Sequence, residues 1–156
     1  MKEIVKPLMQ WYAKHARTLP WRSDPTPYHV WLSEIMLQQT RVEAVIGYYD
    51  RFLEELPDVQ SLAAVSEERL LKLWEGLGYY NRARNLQKAA VQICEQYQGK
   101  FPESYEEWLA LPGIGAYTAG AVTSIAFGKR EAAVDGNVYR IYTRLYADDT
   151  EISKTA

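Results

Sequence analysis

Leu111-Pro112-Gly113-Ile114-Gly115-Ala116-Tyr117-Thr118-Ala119 stands between two segments of helical spacing. Two glycines two positions apart, following a proline, make a tight turn, and the helix after it opens with N–H groups that no side chain caps. A helix start of this kind holds an anion through backbone donors, without a basic side chain. The same turn also serves as a plain αα-corner that needs glycine only for its backbone angles. Ahead of the turn, Ser104 and Glu107 form a capping box for a helix ending at Leu111-Pro112. Behind it the second helix runs to about Phe127, where Gly128 closes it.

Helical spacing continues outward from this hairpin in both directions. A first helix is predicted from about Lys2 to Arg17, with Val5, Leu8, Met9, Trp11 and Tyr12 as its apolar stripe. Pro20, Pro25 and Pro27 read as a loop, so the next helix starts near Tyr28 and carries Val30, Trp31, Leu32, Ile35, Met36 and Leu37. Further helices are predicted from Val42 to about Leu56, Val59 to Ala64, Ser66 to Trp74 and, past the Gly76-Leu77-Gly78 break, Asn81 to Tyr97; a last one starts near Asn137. Strand alternation is nearly absent. The pattern predicts an all-α fold of about eight or nine short helices with short connections.

Composition narrows the function classes. The 156 residues suffice for one sizeable core, and 47% of them are hydrophobic. No apolar run approaches the roughly 18 residues of a membrane span, and the amino terminus lacks the apolar stretch of a signal peptide, so the expected location is the cytoplasm. One cysteine, Cys94, and two histidines, His15 and His29, exclude a disulfide framework and argue against a closed zinc site. A net charge of −2 argues against indiscriminate coating of polyanions, yet permits a local basic face. Arg82, Arg84 and Lys88 lie in a stretch without acidic residues, as do Arg140 and Arg144. Twelve tyrosines and five tryptophans supply the aromatic surface that base stacking needs.

Two carboxylates stand out. Asp135, in Val134-Asp135-Gly136-Asn137-Val138, lies at a loop-to-helix junction and is also a good helix cap. Glu34 lies inside Val30-Trp31-Leu32-Ser33-Glu34-Ile35-Met36-Leu37, with Val30 and Leu37 on its own helix face. An apolar setting raises its pKa toward the range of a neutral-pH proton donor, unless an arginine pairs with it. One protonated and one ionised carboxyl can together break a glycosidic bond through an oxocarbenium-like transition state.

These strings resemble the endonuclease III, or helix-hairpin-helix-GPD, superfamily of DNA glycosylases. Within it the chain is similar to the MutY-type adenine glycosylases through Trp31–Thr40, Trp74–Asn85 and Val134–Val138, and the similarity runs from about Trp11 to Tyr146. The resemblance implies a six-helix barrel over residues 19–130, with the helix-hairpin-helix at about 105–127, flanked by second-lobe elements at 1–18 and 131–156. It implies Glu34 as the acid that protonates adenine N7, Asp135 as the ionised stabiliser of the cationic sugar, and Asn137 and Tyr117 as residues orienting water and sugar. Bifunctional members carry a lysine two residues after the second hairpin glycine; Tyr117 stands there, which implies base hydrolysis without strand cleavage. Gln38, Gln39 and Thr40 resemble the wedge that fills the gap of a flipped base, and Tyr79 the aromatic that intercalates beside the opposite guanine. Arg82, Gly113 and Gly115 complete the implied DNA contacts. Trp21, Arg22 and Leu37 match positions of the adenine pocket, although core packing also accounts for Trp21 and Leu37.

The implied partner is double-stranded DNA with adenine opposite guanine or 8-oxoguanine, bound by a monomer that is nucleoid-associated when on DNA. Family members continue into further helices and four cysteines that hold a 4Fe–4S cluster; with Cys94 alone no cofactor is expected on this chain, which reads as truncated at its polar carboxyl end. The first helix, which packs on that missing part in the family, is expected to leave Leu8 and Trp11 uncovered, with marginal stability. Two other readings stay open: a non-catalytic DNA-binding remnant, and a mismatch glycosylase for thymine, a base without an N7 for Glu34 to protonate.

Overall fold

The computed structural model describes residues 2–149 and 151. Among the described residues it has ten helices and no strand: α1 (Lys2–His15), α2 (Pro20–Ser23), α3 (Pro27–Leu37), α4 (Val42–Glu55), α5 (Val59–Ala64), α6 (Glu67–Leu73), α7 (Asn81–Tyr97), α8 (Tyr105–Leu109), α9 (Ala116–Phe127) and α10 (Gly136–Tyr146). No helix among them is long and apolar enough to cross a membrane. Most of the predicted ends hold because local chemistry sets them. Thr26, Asp58, Ser66 and Ser104 cap α3, α5, α6 and α8 through their side chains, and the backbone N–H of the last donates the expected reciprocal bond to the Glu107 carboxylate. Gly128, at φ 65°, closes α9.

Two expectations need correction. The proline-rich segment is not all loop, because Pro20 occupies the first position of the short helix α2, where a proline costs no hydrogen bond. The first helix stops at His15 instead of Arg17, which leaves Arg17 in the connection to α2.

The core is organised around α3. Tyr28, Val30, Trp31, Leu32, Ser33, Ile35 and Met36 are all buried, so most of this largely apolar helix is enclosed. It packs on α9, α4, α2 and α7, while α5 lies against α7. Beside α3 an aromatic cluster joins Trp31, Phe101 and Trp108, the last two stacked at 5.9 Å, and the Trp108 indole donates to the Pro102 carbonyl at 2.8 Å. Burying an aromatic with its polar atom satisfied keeps the full gain of burial.

The two end helices behave differently. Val5, Leu8, Met9, Trp11 and Tyr12 of α1 are exposed, so Leu8 and Trp11 are uncovered as expected. Helix α10 buries no residue and exposes Tyr139, Ile141, Tyr142, Leu145 and Tyr146.

Candidate active site

Glu34 is the only charged residue of α3, and it faces a cavity of about 310 Å³. That volume lies at the small end of the roughly 300–1,000 Å³ of ligand sites. Tyr117 of α9 and Asp135, the N-cap of α10, line the same cavity. Residues 101 positions apart in the chain are thus brought together by the packing of α3 on α9 and by the passage of Ala132 and Ala133 against Gly120 of α9. That passage depends on Gly120, where a Cβ would lie 2.3 Å from the carbonyl oxygen of Ala132.

The two carboxyls are pushed in opposite directions. Burial raises the Glu34 pKa; hydrogen bonding from Tyr117 and the positive charge of Arg22 offset this in part, and the charge of Asp135 adds to it. Asp135 is held below the ordinary aspartate range, first by the Val138 backbone N–H, which donates to Oδ1 at 2.9 Å, and then by the Asn137 amide, which donates to Oδ2 at 2.9 Å. The start of α10 adds the favourable end of a helix dipole. Asp135 thus caps α10 and at the same time lines the cavity. Burial and the neighbouring Glu34 push the Tyr117 hydroxyl up to about 12, so it stays a proton donor at neutral pH.

The base-pocket candidates meet here as well. Trp21 is buried, with its ring edge-on to Tyr49 at 5.2 Å, and lines the cavity together with Arg22, Leu37 and Gln38. Core packing and cavity lining are one arrangement for Trp21. Val30 lines the cavity too, and Arg17, Leu19, Ser33, Val42 and Ile125, not singled out as site residues from sequence, complete the wall. Arg17 is the notable omission, and its only sequence signal is the pair of arginines flanking Leu19-Pro20-Trp21.

The remaining candidates lie outside the cavity. Gln39 and Tyr79 are exposed, Tyr79 by 65%, and both have left-handed backbones, at φ 58° and 46°. Gly113, at φ 75°, makes the hairpin turn, and Gly115 caps α9 without a side-chain bond, leaving the first N–H groups open to an anion. Thr40 is half-buried at the turn after α3, its hydroxyl 3.4 Å from the Gln38 carbonyl. Arg82 departs from the expected DNA contact, because its guanidinium turns inward onto main-chain carbonyls. A 4Fe–4S cluster does not fit the donors of this chain. Its one cysteine, Cys94, is a half-buried thiol pushed up by burial, with Sγ 3.8 Å from the Val59 carbonyl.

Comparison with known proteins places the chain in a family. Residues 32–156 match the HhH-GPD superfamily of base excision DNA repair proteins. The adenine DNA glycosylase of Buchnera aphidicola subsp. Baizongia pistaciae (strain Bp) is 45% identical over 141 residues, which cover 90% of this chain and 40% of that protein. The chain thus spans less than half the length of this curated relative. Among solved structures, a thermostable thymine-DNA glycosylase matches with a TM-score of 0.86 at 31% identity, covering 91% of this chain and 66% of the other. Endonuclease III in a non-covalent DNA complex matches with a TM-score of 0.79 at 28% identity, covering 96% and 72%. With a hairpin, a carboxylate pair and a family match over most of its length, the chain belongs to the HhH-GPD superfamily of base excision DNA repair proteins.

Proposed function

We propose that this chain carries the catalytic centre of a monofunctional adenine DNA glycosylase acting on adenine opposite guanine or 8-oxoguanine. The observation that carries the reading is the pair Glu34 and Asp135 on one base-sized cavity, one pKa raised and the other lowered. Glu34 gives its proton to N7 of the flipped adenine. The bond between N9 and the sugar C1′ then breaks, its electron pair leaving with the base, and Asp135 stabilises the cationic sugar. Water adds to C1′ and its proton returns to the carboxylate pair, leaving an abasic site. General acid help contributes about 10² to 10⁴ in rate. Tyr117 has no amine to form a Schiff base, so the sugar–phosphate strand stays intact.

The similarity to a thymine-DNA glycosylase supports a second reading, with thymine as the base released. Adenine is favoured by the higher identity to adenine glycosylases and by Glu34, whose proton has no N7 to reach on thymine. On the same reading residues 19–130 form the barrel lobe, and 1–18 with 131–156 belong to a second lobe, of which 1, 150 and 152–156 lie outside the described residues.

A single-turnover assay on duplexes with adenine opposite 8-oxoguanine, with and without alkali, tests this beside Glu34→Gln and Asp135→Asn. Strand breaks only after alkali, lost in both variants, are the expected result. Binding without base release by the unmutated chain would refute it and leave a DNA-binding remnant.

A further inference from the structure

Arg82 lies in the first turn of α7, and its guanidinium joins two segments distant in sequence. Nη1 is 2.8, 3.0 and 2.7 Å from the carbonyl oxygens of Ile35, Met36 and Gln38. These belong to the C-terminal end of α3, where unsatisfied carbonyls concentrate the negative end of the helix dipole. Nη2 is 2.9 and 3.1 Å from the carbonyl oxygens of Leu77 and Gly78, in the turn that leads to Tyr79. The guanidinium also lies over the rings of Trp74 and Tyr79, at 5.3 and 5.8 Å. No carboxylate among the described residues pairs with it, so its charge is matched by main-chain carbonyls and the faces of two aromatic rings.

What the fork holds is unusual. Immediately beyond each clamped segment stands an exposed residue in the left-handed backbone region, Gln39 at φ 58° and Tyr79 at φ 46°. Side chains other than glycine stay in that region only where the surroundings over-determine it. A small cavity of about 50 Å³ places the hairpin against the same group, since Arg82 and Gln38 line it together with Pro112 and Gly113.

We propose that Arg82 is a positioning residue that locks the Gln38–Thr40 turn to the Gly76–Tyr80 turn, so that Gln39 and Tyr79 enter a duplex as one rigid unit. The inference rests on the reading of this chain as a DNA glycosylase, and it makes Arg82 act through those residues without touching DNA. Lysine should not substitute, because one compact ammonium cannot reach the carbonyls of both segments as the two arms of a planar five-donor fork do.

The test compares the full chain with Arg82→Lys and Arg82→Gln by amide hydrogen exchange and by binding to two duplexes, one matched and one with a tetrahydrofuran abasic site opposite guanine. Residues 38–41 and 76–81 should both exchange about tenfold faster in the variants, with α5 and α8 unchanged. Preference for the abasic duplex should fall about tenfold, while affinity for the matched duplex and its salt dependence hold. A merely structural role would not move that preference. As a second measurement that leaves Arg82 in place, Gln39→Ala and Tyr79→Ala should combine non-additively in abasic-duplex binding, by about threefold or more. Loosening of one turn alone or of neither, loosening with the preference intact, or strict additivity would each overturn the proposal. So would an unmutated chain that does not prefer the abasic duplex. A chain that prefers it but releases no adenine sinks only the glycosylase reading.

Discussion

Replacing Gly120 by alanine tests whether the place of Asp135 depends on how closely its approach segment passes α9. The added Cβ would lie 2.3 Å from the Ala132 carbonyl oxygen and 2.9 Å from its carbon, both backbone atoms that cannot rotate away. An ordinary C···O contact needs roughly 3.3 Å, so the segment must retreat by about 1 Å. Asp135 follows three residues later, and a displacement of about 1 Å at a reacting group is worth about 10²-fold in rate. That equals about 2.7 kcal/mol of lost transition-state stabilisation. Overpacking itself should cost about 1–3 kcal/mol of stability. The assay is single-turnover base release at saturating chain, with melting followed in parallel. Gly47→Ala in α4 is the control, since its Cβ meets only the Arg51 side chain at 3.7 Å; its activity should be unchanged. Base release by a folded Gly120→Ala chain within about threefold of the parent, well short of the expected factor, would refute the reasoning.

Other outcomes follow from the same site. Because burial raises the Glu34 pKa, its contribution to stability is complete below the ordinary glutamate range and is lost as pH rises through the folded value. Glu34→Gln should therefore melt higher than the parent near pH 8, with the difference vanishing near pH 4, as calorimetry across pH would show. Base release should fall on the alkaline side as Glu34 ionises and on the acid side only below the ordinary aspartate range, where Asp135 protonates. A pH–rate profile of Asp135→Asn, whose amide still caps α10, should show a loss of about 10² or more with the fold retained. Gly113→Ala places a Cβ 2.7 Å from that of Asn85 at φ 75°, and should weaken duplex binding in a salt titration while also lowering the melting temperature. With Leu8, Trp11, Ile141 and Leu145 exposed, the isolated chain should bind a hydrophobic dye and unfold at modest temperature; a high, cooperative transition would contradict this.

The sequence was most informative where chemistry is local. Glu34 could be placed in an apolar setting because Val30 and Leu37 share its face, and Asp135 could be seen to begin a helix because caps act within four residues. Arg82 was misleading for the opposite reason. Its basic neighbourhood suggests a DNA contact, but its acceptors at Ile35, Met36 and Gln38 lie 44 to 47 positions away, beyond any local pattern. Gly120 carries no sequence signal either, since a glycine within a helix shows its purpose only when another backbone passes against it. Helix α2 was hidden by its prolines, which suggest a loop yet suit a helix's first position. Arg17 lines the cavity from the connection after α1, which ends two residues sooner than its periodicity suggests.

Asp135 closes the first turn of α10, a helix that buries none of its residues. Helix ends fray, and a helix without buried anchorage frays at little cost in free energy. Each fraying event breaks the Val138 bond and so relaxes the anion that the proposed chemistry would use. Heat should then silence the chain in two stages, with the reactive centre failing reversibly some degrees before the α3 core gives way. Any second surface that settles on α10 would lengthen the working life of the site without contacting it.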